Sequence, residues 1–198
     1  MRKISIYTLM LVMMAFTSCD LLKQAAMVAT LAKCEFRLQS IKNLTLAGVN
    51  IQNIKSLSNL SMINAAKVSA AFLNKSLPLS FTLNVQAKNP NASAAGLSRL
   101  DWILAIDNRD MINGILNQQI NISPNGGIAT IPLNMNLDLV KLFNNQTLES
   151  IAKIVFGLVG ANDVPTKITL RGKPTINVNG VAIQYPGYIN INTNFTSL

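Results

Sequence analysis

The chain has 198 residues, a formal charge of +9 and no histidine; 49% of it is hydrophobic and only 13% charged. That length and apolar content suit one domain around a single core, while the missing histidine and the mere two cysteines leave no ordinary zinc or haem ligand set and no proton shuttle near neutral pH. No basic run exceeds two residues, so the dense cationic stripe with stacking aromatics that marks a nucleic-acid partner is absent.

Arg2 and Lys3 precede a largely apolar run at 4–16, and Thr17-Ser18-Cys19 supplies a small-residue exit. This is the pattern of a secretory signal, too short to remain as a transmembrane helix. A cysteine directly after small residues resembles a bacterial lipobox, of the looser kind found in Bacteroidetes because Phe16 stands where leucine is usual. The resemblance implies a signal peptide at 1–18, a lipid-anchored segment at 19–34 and a folded domain at 35–198. Cys19 is then the lipidation site, and the membrane is the partner reached through its acyl chains, which exceed the two anchors that stable residence needs. The alternative is an ordinary secreted protein in which Cys19 is discarded or keeps its thiol. With Arg2 and Lys3 removed, fifteen cations face eight acids, a charge of +7. Attraction to anionic head groups or polysaccharide is one reading of that excess; a solvated surface of modest charge is the plainer one. Cys34 then has no partner within the chain and is expected to be a buried small apolar residue, against a thiol open to pairing between molecules.

Residues 20–33 have good helix propensity, with Leu21, Leu22, Ala25, Val28 and Ala29 on one face. They would lie on the membrane or pack on the domain. Residues 35–54 hold the first strands, and the hydrophobic phase slips at Ala47-Gly48, which suggests a bulge or a turn. From 56 to 74 the period changes. Leu60, Ile63, Ala66, Lys67, Ala70, Ala71 and Leu73 recur at three and four, Ser58 or Ser61 can cap, and Asn74 with Pro78 ends the run. The expectation is a helix inserted near 58–74.

In 80–88, Phe81, Leu83, Val85 and Ala87 alternate with polar residues as a half-buried strand. Asn89-Pro90-Asn91 breaks it. Leu100, Trp102, Leu104 and Ile106 share the face of the next strand, 107–110 turns the chain, and 111–122 reads as a third strand. Ile131, Leu133, Met135 and Leu137 mark a fourth. Four strands joined by polar turns predict an antiparallel meander with one wet, asparagine-rich face that carries Asn84, Asn134, Asn136, Asn177 and Asn179. Asp138 and Thr147 can cap helical segments, the second with the apolar stripe Ile151, Ile154, Val155 and Leu158. A last strand pair is expected at 166–172 and 175–192, turning at Gly172-Lys173-Pro174.

A strand ending in Asn-Pro-Asn, a strand through Trp102 to Asp107, a strand carrying Gly114 and a strand reading Ile-Pro-Leu-Asn-Met-Asn-Leu together resemble the late embryogenesis abundant type 2 domain, also called the water stress and hypersensitive response domain. The likeness spans roughly 44–192. Trp102 replaces a more common tyrosine there, and Asn108 stands where a turn glycine is frequent. What it implies is a mainly β, immunoglobulin-like two-sheet antiparallel sandwich with one or two packed helices, in a role without known catalysis.

The residues themselves offer little chemistry. Asp101 and Asp107 would lie roughly 20 Å apart at ~3.3 Å per residue, too far for an acid/base pair. Asp107, Asn108 and Asp110 bracket a turn that is too poor in oxygen ligands for an EF-hand. A slot between the sheets could be lined by Trp102, Met111, Met135, Phe143 and Phe156, although such residues also fill ordinary cores. The expected protein is a non-enzymatic envelope lipoprotein without a cofactor, lodged by preference at the outer membrane facing the periplasm. It would contact an envelope protein or polysaccharide in a scaffolding or stress-protective role. The alternative is a carrier of lipid or another small apolar molecule.

Overall fold

The computed structural model describes residues 30–158, 167–178 and 180–194. The leader expected at 1–18, Cys19 and residues 20–29 lie outside the described residues. Two antiparallel sheets face one another. One holds β1 (Glu35–Leu46), β2 (Val49–Asn50), β3 (Pro78–Asn89) and β8 (Gly127–Asp138), in the order β2-β1-β3-β8. The other is built on β5 (Arg99–Ile106), β6 (Arg109–Leu116), β9 (Lys167–Val178), β10 (Val181–Gln184) and β11 (Ile189–Asn194). β4 (Ala95–Leu97) and β7 (Ile120–Ile122) form a separate two-stranded ribbon. The protein is a mainly β sandwich with packed helices, as expected.

The expected meander is corrected. β3 pairs directly with β8 over twelve positions, from Pro78 opposite Asp138 to Asn89 opposite Gly127. The strands between them cross to the other sheet, where β5 and β6 form a hairpin. Its two-residue turn is Asp107-Asn108, both at positive φ, which matches the twist of the flanking strands. The anticipated single strand at 111–122 is two, because the chain leaves the sheet after Leu116 and re-pairs at Ile120 with β4. Alternation states which side of a strand is buried and not which strand lies beside it.

Two further departures have local causes. Register shifts between Leu38 and Ser40 and between Lys42 and Thr45 interrupt β1, so Leu38, Ile41, Leu44 and Leu46 all point inward despite their mixed parity. The phase slip at Ala47-Gly48 is a hairpin turn with both residues at positive φ. β9 runs straight through Gly172-Lys173-Pro174, where a turn was expected. Tyr185 N donates to Pro174 O, so that edge of Pro174 faces the bend between β10, which ends opposite Thr175, and β11, which begins opposite Gly172. A residue without an N–H is tolerated there because no ladder bond is required of it.

The two inner faces fill the space between the sheets with Leu83, Leu104, Ile131, Leu133 and Leu170, all essentially inaccessible. Trp102 sits opposite Gly114 on one neighbour and Gly172 on the other. A Cβ at Gly114 would fall within the Trp102 indole, so the glycine marks close packing of the ring rather than a bend.

The helices lie toward the Leu46, Pro78 and Asp138 end of the sandwich. A single 3₁₀ turn (Leu57–Asn59) leads into α1 (Met62–Leu73), capped by Ser61, whose hydroxyl accepts from Asn64 N. α2 (Leu139–Leu142) is one turn; α3 (Leu148–Gly157) is capped by Thr147 and buries Ile151, Ala152, Val155 and Phe156. Asp138 ties these pieces together. Its carboxylate accepts from Leu77 N at 3.0 Å, Ser76 Oγ at 3.0 Å and Val140 N at 3.2 Å. Partial burial pushes its pKa up, but the bonds from Leu77, Ser76 and Val140 and the charge of Lys141 outweigh that and hold it below the ordinary carboxylate value.

Two outcomes follow for stability. Gly114→Ala forces a methyl against the sole tryptophan and should cost ~1–3 kcal/mol, read as a lower urea midpoint with a shifted Trp102 emission. For Asp138, a folded pKa below the unfolded one means that its contribution is complete above the ordinary value and is lost as pH falls through the folded one, below about pH 4. Asp138→Asn should therefore lower stability at neutral pH by ~1–3 kcal/mol and flatten the loss in that acid window, as measured by denaturant titration at several pH values.

Candidate functional site

The five side chains expected to line one slot do not meet in one. Met135 is buried opposite Phe81 in β8, and Trp102 is buried over Gly114 in the other sheet. Met111 on β6 and Phe143 beyond α2 are half-buried against the core. Phe156 is buried on α3. The gap between the sheets, bounded by Val85, Leu97, Leu100, Ile131 and Leu170, measures ≈ 20 Å³, room for about one water. Leucine and isoleucine from both sheets occupy the space that the slot would need.

A cleft opens instead at the helical end, between the 3₁₀ turn and α3. It measures ≈ 580 Å³, and Leu57, Leu148, Ala152 and Phe156 supply its apolar wall. Lys55 stands on its rim, as does the pair Lys153 and Glu149, 3.8 Å apart across one helical turn. Its volume is that of a small-ligand site. The sequence signal for it was incomplete, because the wall joins residues nearly a hundred positions apart.

The other distinctive surface is α1. Its core side carries Val68 with Ala71 and Phe72, whereas Met62, Ile63 and Leu73 are 89%, 71% and 77% exposed. Of the recurring set read from periodicity as the reason for the helix, Ile63, Ala66, Lys67, Ala70 and Leu73 fall on the uncovered side, whereas Leu60 and Ala71 pack against the core. The helix is apolar on both sides, so period alone gave it no direction. Lys67 borders the stripe and makes no ion pair among the described residues.

The remaining polar candidates are engaged elsewhere. Asp101 accepts from Arg99 and from Gln184. Asp107 accepts from Lys167 N at 3.1 Å, Asn108 from Lys167 Nζ at 3.2 Å, and Asp110 pairs with Arg171. The three turn residues thus address cations and amides of the neighbouring strand. Arg171 also lies 5.9 Å above the Tyr188 ring. Among the described residues no cluster of three acidic, cysteine or histidine side chains could hold a metal ion, and no helix is long and apolar enough to cross a membrane. Cys34 is buried, as expected, with its Sγ 3.5 Å from Thr30 O, and burial pushes its thiol pKa up. On the outer face, Thr82 bonds Asn134 and Asn84 bonds Ser40, although Asn84 is itself buried rather than wet. Asn134, Asn136 and Asn177 are exposed; Asn179 and Cys19 lie outside the described residues.

Thr30, the first described residue, accepts from Asn91 Nδ2 beyond the Asn89 end of β3. The helices lie beyond the other end of that twelve-residue strand, roughly 40 Å away at ~3.3 Å per residue.

No protein-family model and no curated protein matches the chain. Among solved structures it is similar to a protein from Archaeoglobus fulgidus, with 16% identity, 81% of this chain and 98% of that one covered, and a TM-score of 0.35. It is similar to an Arabidopsis thaliana protein solved in solution, with 13% identity, 61% and 72% covered, and a TM-score of 0.38. A further likeness is to a candidate late embryogenesis abundant protein, with 14% identity, 93% and 86% covered, and a TM-score of 0.39.

Proposed function

We propose that this chain is a lipid-anchored, non-enzymatic component of a bacterial envelope, with a late embryogenesis abundant type 2-like domain that contacts or scaffolds protein. The observation that carries the contact role is the uncovered apolar stripe of α1, with Met62, Ile63 and Leu73 each more than two-thirds exposed. Side chains of that size left in water favour association.

The anchor reading rests on Arg2, Lys3, the apolar run and Thr17-Ser18-Cys19. With lipid on Cys19, ten residues separate it from Thr30, so the Asn91 end of the sandwich is proximal to the bilayer and α1 projects away from it. Asp20 is a lone acid beside the anchor, and the acidic tract associated with surface export in some Bacteroidetes lipoproteins is not there. The periplasmic side of the outer membrane is therefore the preferred site. The non-catalytic part of the reading is supported by the lack of histidine and by the pairing of Asp101, Asp107 and Asp110 with neighbouring groups. The carrier reading keeps one supporting observation, the ≈ 580 Å³ cleft beside Leu57 and Phe156, which replaces the filled slot between the sheets.

Expressed in a host that processes lipoproteins, the full chain should fractionate with membranes. The intact mass of the mature protein should exceed that of 19–198 by a diacylglyceryl and an acyl group, and Cys19→Ala should lack both. A mature wild-type protein without acyl mass overturns the anchor. A photo-cross-linking residue at position 63 should capture protein in intact cells where one at Thr130, on the polar sheet face, does not. Equal yields at the two positions overturn the contact role.

A further inference from the structure

We infer that the cleft between the 3₁₀ turn and α3 binds a single-chain amphiphile with a compact anionic head, its chain laid on Leu57, Leu148, Ala152 and Phe156 and its head at Lys55. This rests on the carrier reading of that cleft and names its class of ligand.

The cleft follows from the spacing of residues on α3. Leu148, Ala152 and Phe156 stand four apart and form one row along the helix, and Glu149 and Lys153 form the row beside it. Alanine in the middle of the apolar row leaves a dip between two large side chains. Ala152 and Phe156, each 3% exposed, make the floor. The opposite wall is the 3₁₀ turn, where Leu57 is half-buried against the core. Ser56 Oγ lies 2.8 Å from Ser58 Oγ and donates to Asn59 Oδ1 at 2.6 Å, so the hydroxyls on this wall are engaged within their own turn. What is offered to a ligand is therefore an apolar trough of ≈ 580 Å³, which gains by being covered with hydrocarbon. From Leu148 to Phe156 it runs ~12 Å at ~1.5 Å per residue, and it is one side chain wide, which suits one chain rather than two.

Charge at the rim selects the head. No acid lies between Glu35 and Asp101 in the sequence, so the Lys55 side of the cleft has no carboxylate in its own segment. Lys55 is exposed and makes no ion pair among the described residues. Across the cleft, Lys153 stands 3.8 Å from Glu149. Two cations and one acid leave the rim with a charge of +1, above walls that are apolar. A neutral apolar molecule uses the walls alone, whereas a chain ending in a carboxylate or phosphate uses both. Because Lys55 stands in water, its share is modest and is screened by salt; covering the chain supplies most of the affinity.

The test uses the full mature chain in phosphatidylcholine vesicles at mildly alkaline pH, where a fatty acid is ionised. The probes are a diazirine-bearing dodecanoate and the matching dodecanol, and labelled residues are mapped by mass spectrometry. The acid should label 55–58 and 148–156 and be displaced by unlabelled dodecanoate. Lys55→Gln, at an exposed position, should keep the circular dichroism of the wild type, lower labelling of the cleft by the acid about two- to fivefold and leave labelling by the alcohol unchanged. Ala152→Leu should fill the trough and lower labelling by both probes; if it does not fold, Lys55→Gln decides. Labelling of the cleft by the acid that ignores Lys55→Gln, or labelling by the alcohol alone, overturns the anionic class and leaves the carrier reading standing. No labelling of 55–58 or 148–156 by either probe overturns both.

Discussion

The pairing of β3 with β8 is the constraint from which the rest is hung. Twelve residue pairs run without a shift from Pro78 opposite Asp138 to Asn89 opposite Gly127, and a buried or partly buried polar side chain fixes each end. Asn89 is fully buried; its amide donates to Ser93 O and Ile122 O, and its Oδ1 accepts from Asn91 N. Those bonds hold the ribbon of β4 and β7 against the sheet. At the other end Asp138 gathers Leu77 N, Ser76 Oγ and Val140 N, so the exit from α1 and the entry to α2 are set by one carboxylate. A slip of one residue would disturb the pins and turn the buried set of one strand, Leu83 and Val85 or Ile131 and Leu133, toward water, which is why the register is strongly specified.

This arrangement makes the two ends of the sandwich differ in construction. The Asn89 end is built from turns and backbone bonds and receives the chain at Thr30. The Asp138 end carries the helices, the cleft and the exposed stripe. The core is filled, since Leu104, Ile131, Leu133 and Leu170 are inaccessible, the gap beside Ile131 and Leu170 has room for about one water, and a larger cleft opens outside the sheets, beside α3.

Much of the local structure was legible from residue order. Ser61, Asp138 and Thr147 cap where their side-chain chemistry suggests, Cys34 is buried, and the inward faces of β3, β5 and β8 follow simple alternation. The failures share a cause. The strand partners of 80–139 depend on whether the chain after Asn89 turns back or crosses to the other sheet, and Pro90 permits either. The straight passage of β9 through Pro174 depends on where β10 ends and β11 begins. Trp102 was noticed as a possible pocket residue, yet its meaning lies in Gly114 beside it, which shares no sequence neighbourhood with it.

Taken by itself, the order of residues determined that layers of half-buried strands would form and where helices would begin. Both depend on neighbours within a few positions, through the two-residue pleat or the cap. Tertiary structure alone decided which strands lie side by side, that the intersheet space is closed, and which side of α1 faces water. Those outcomes depend on contacts between distant segments, and for α1 on a competition between two apolar faces of nearly equal character. Periodicity could announce that helix but could not orient it; packing against the end of the sandwich did.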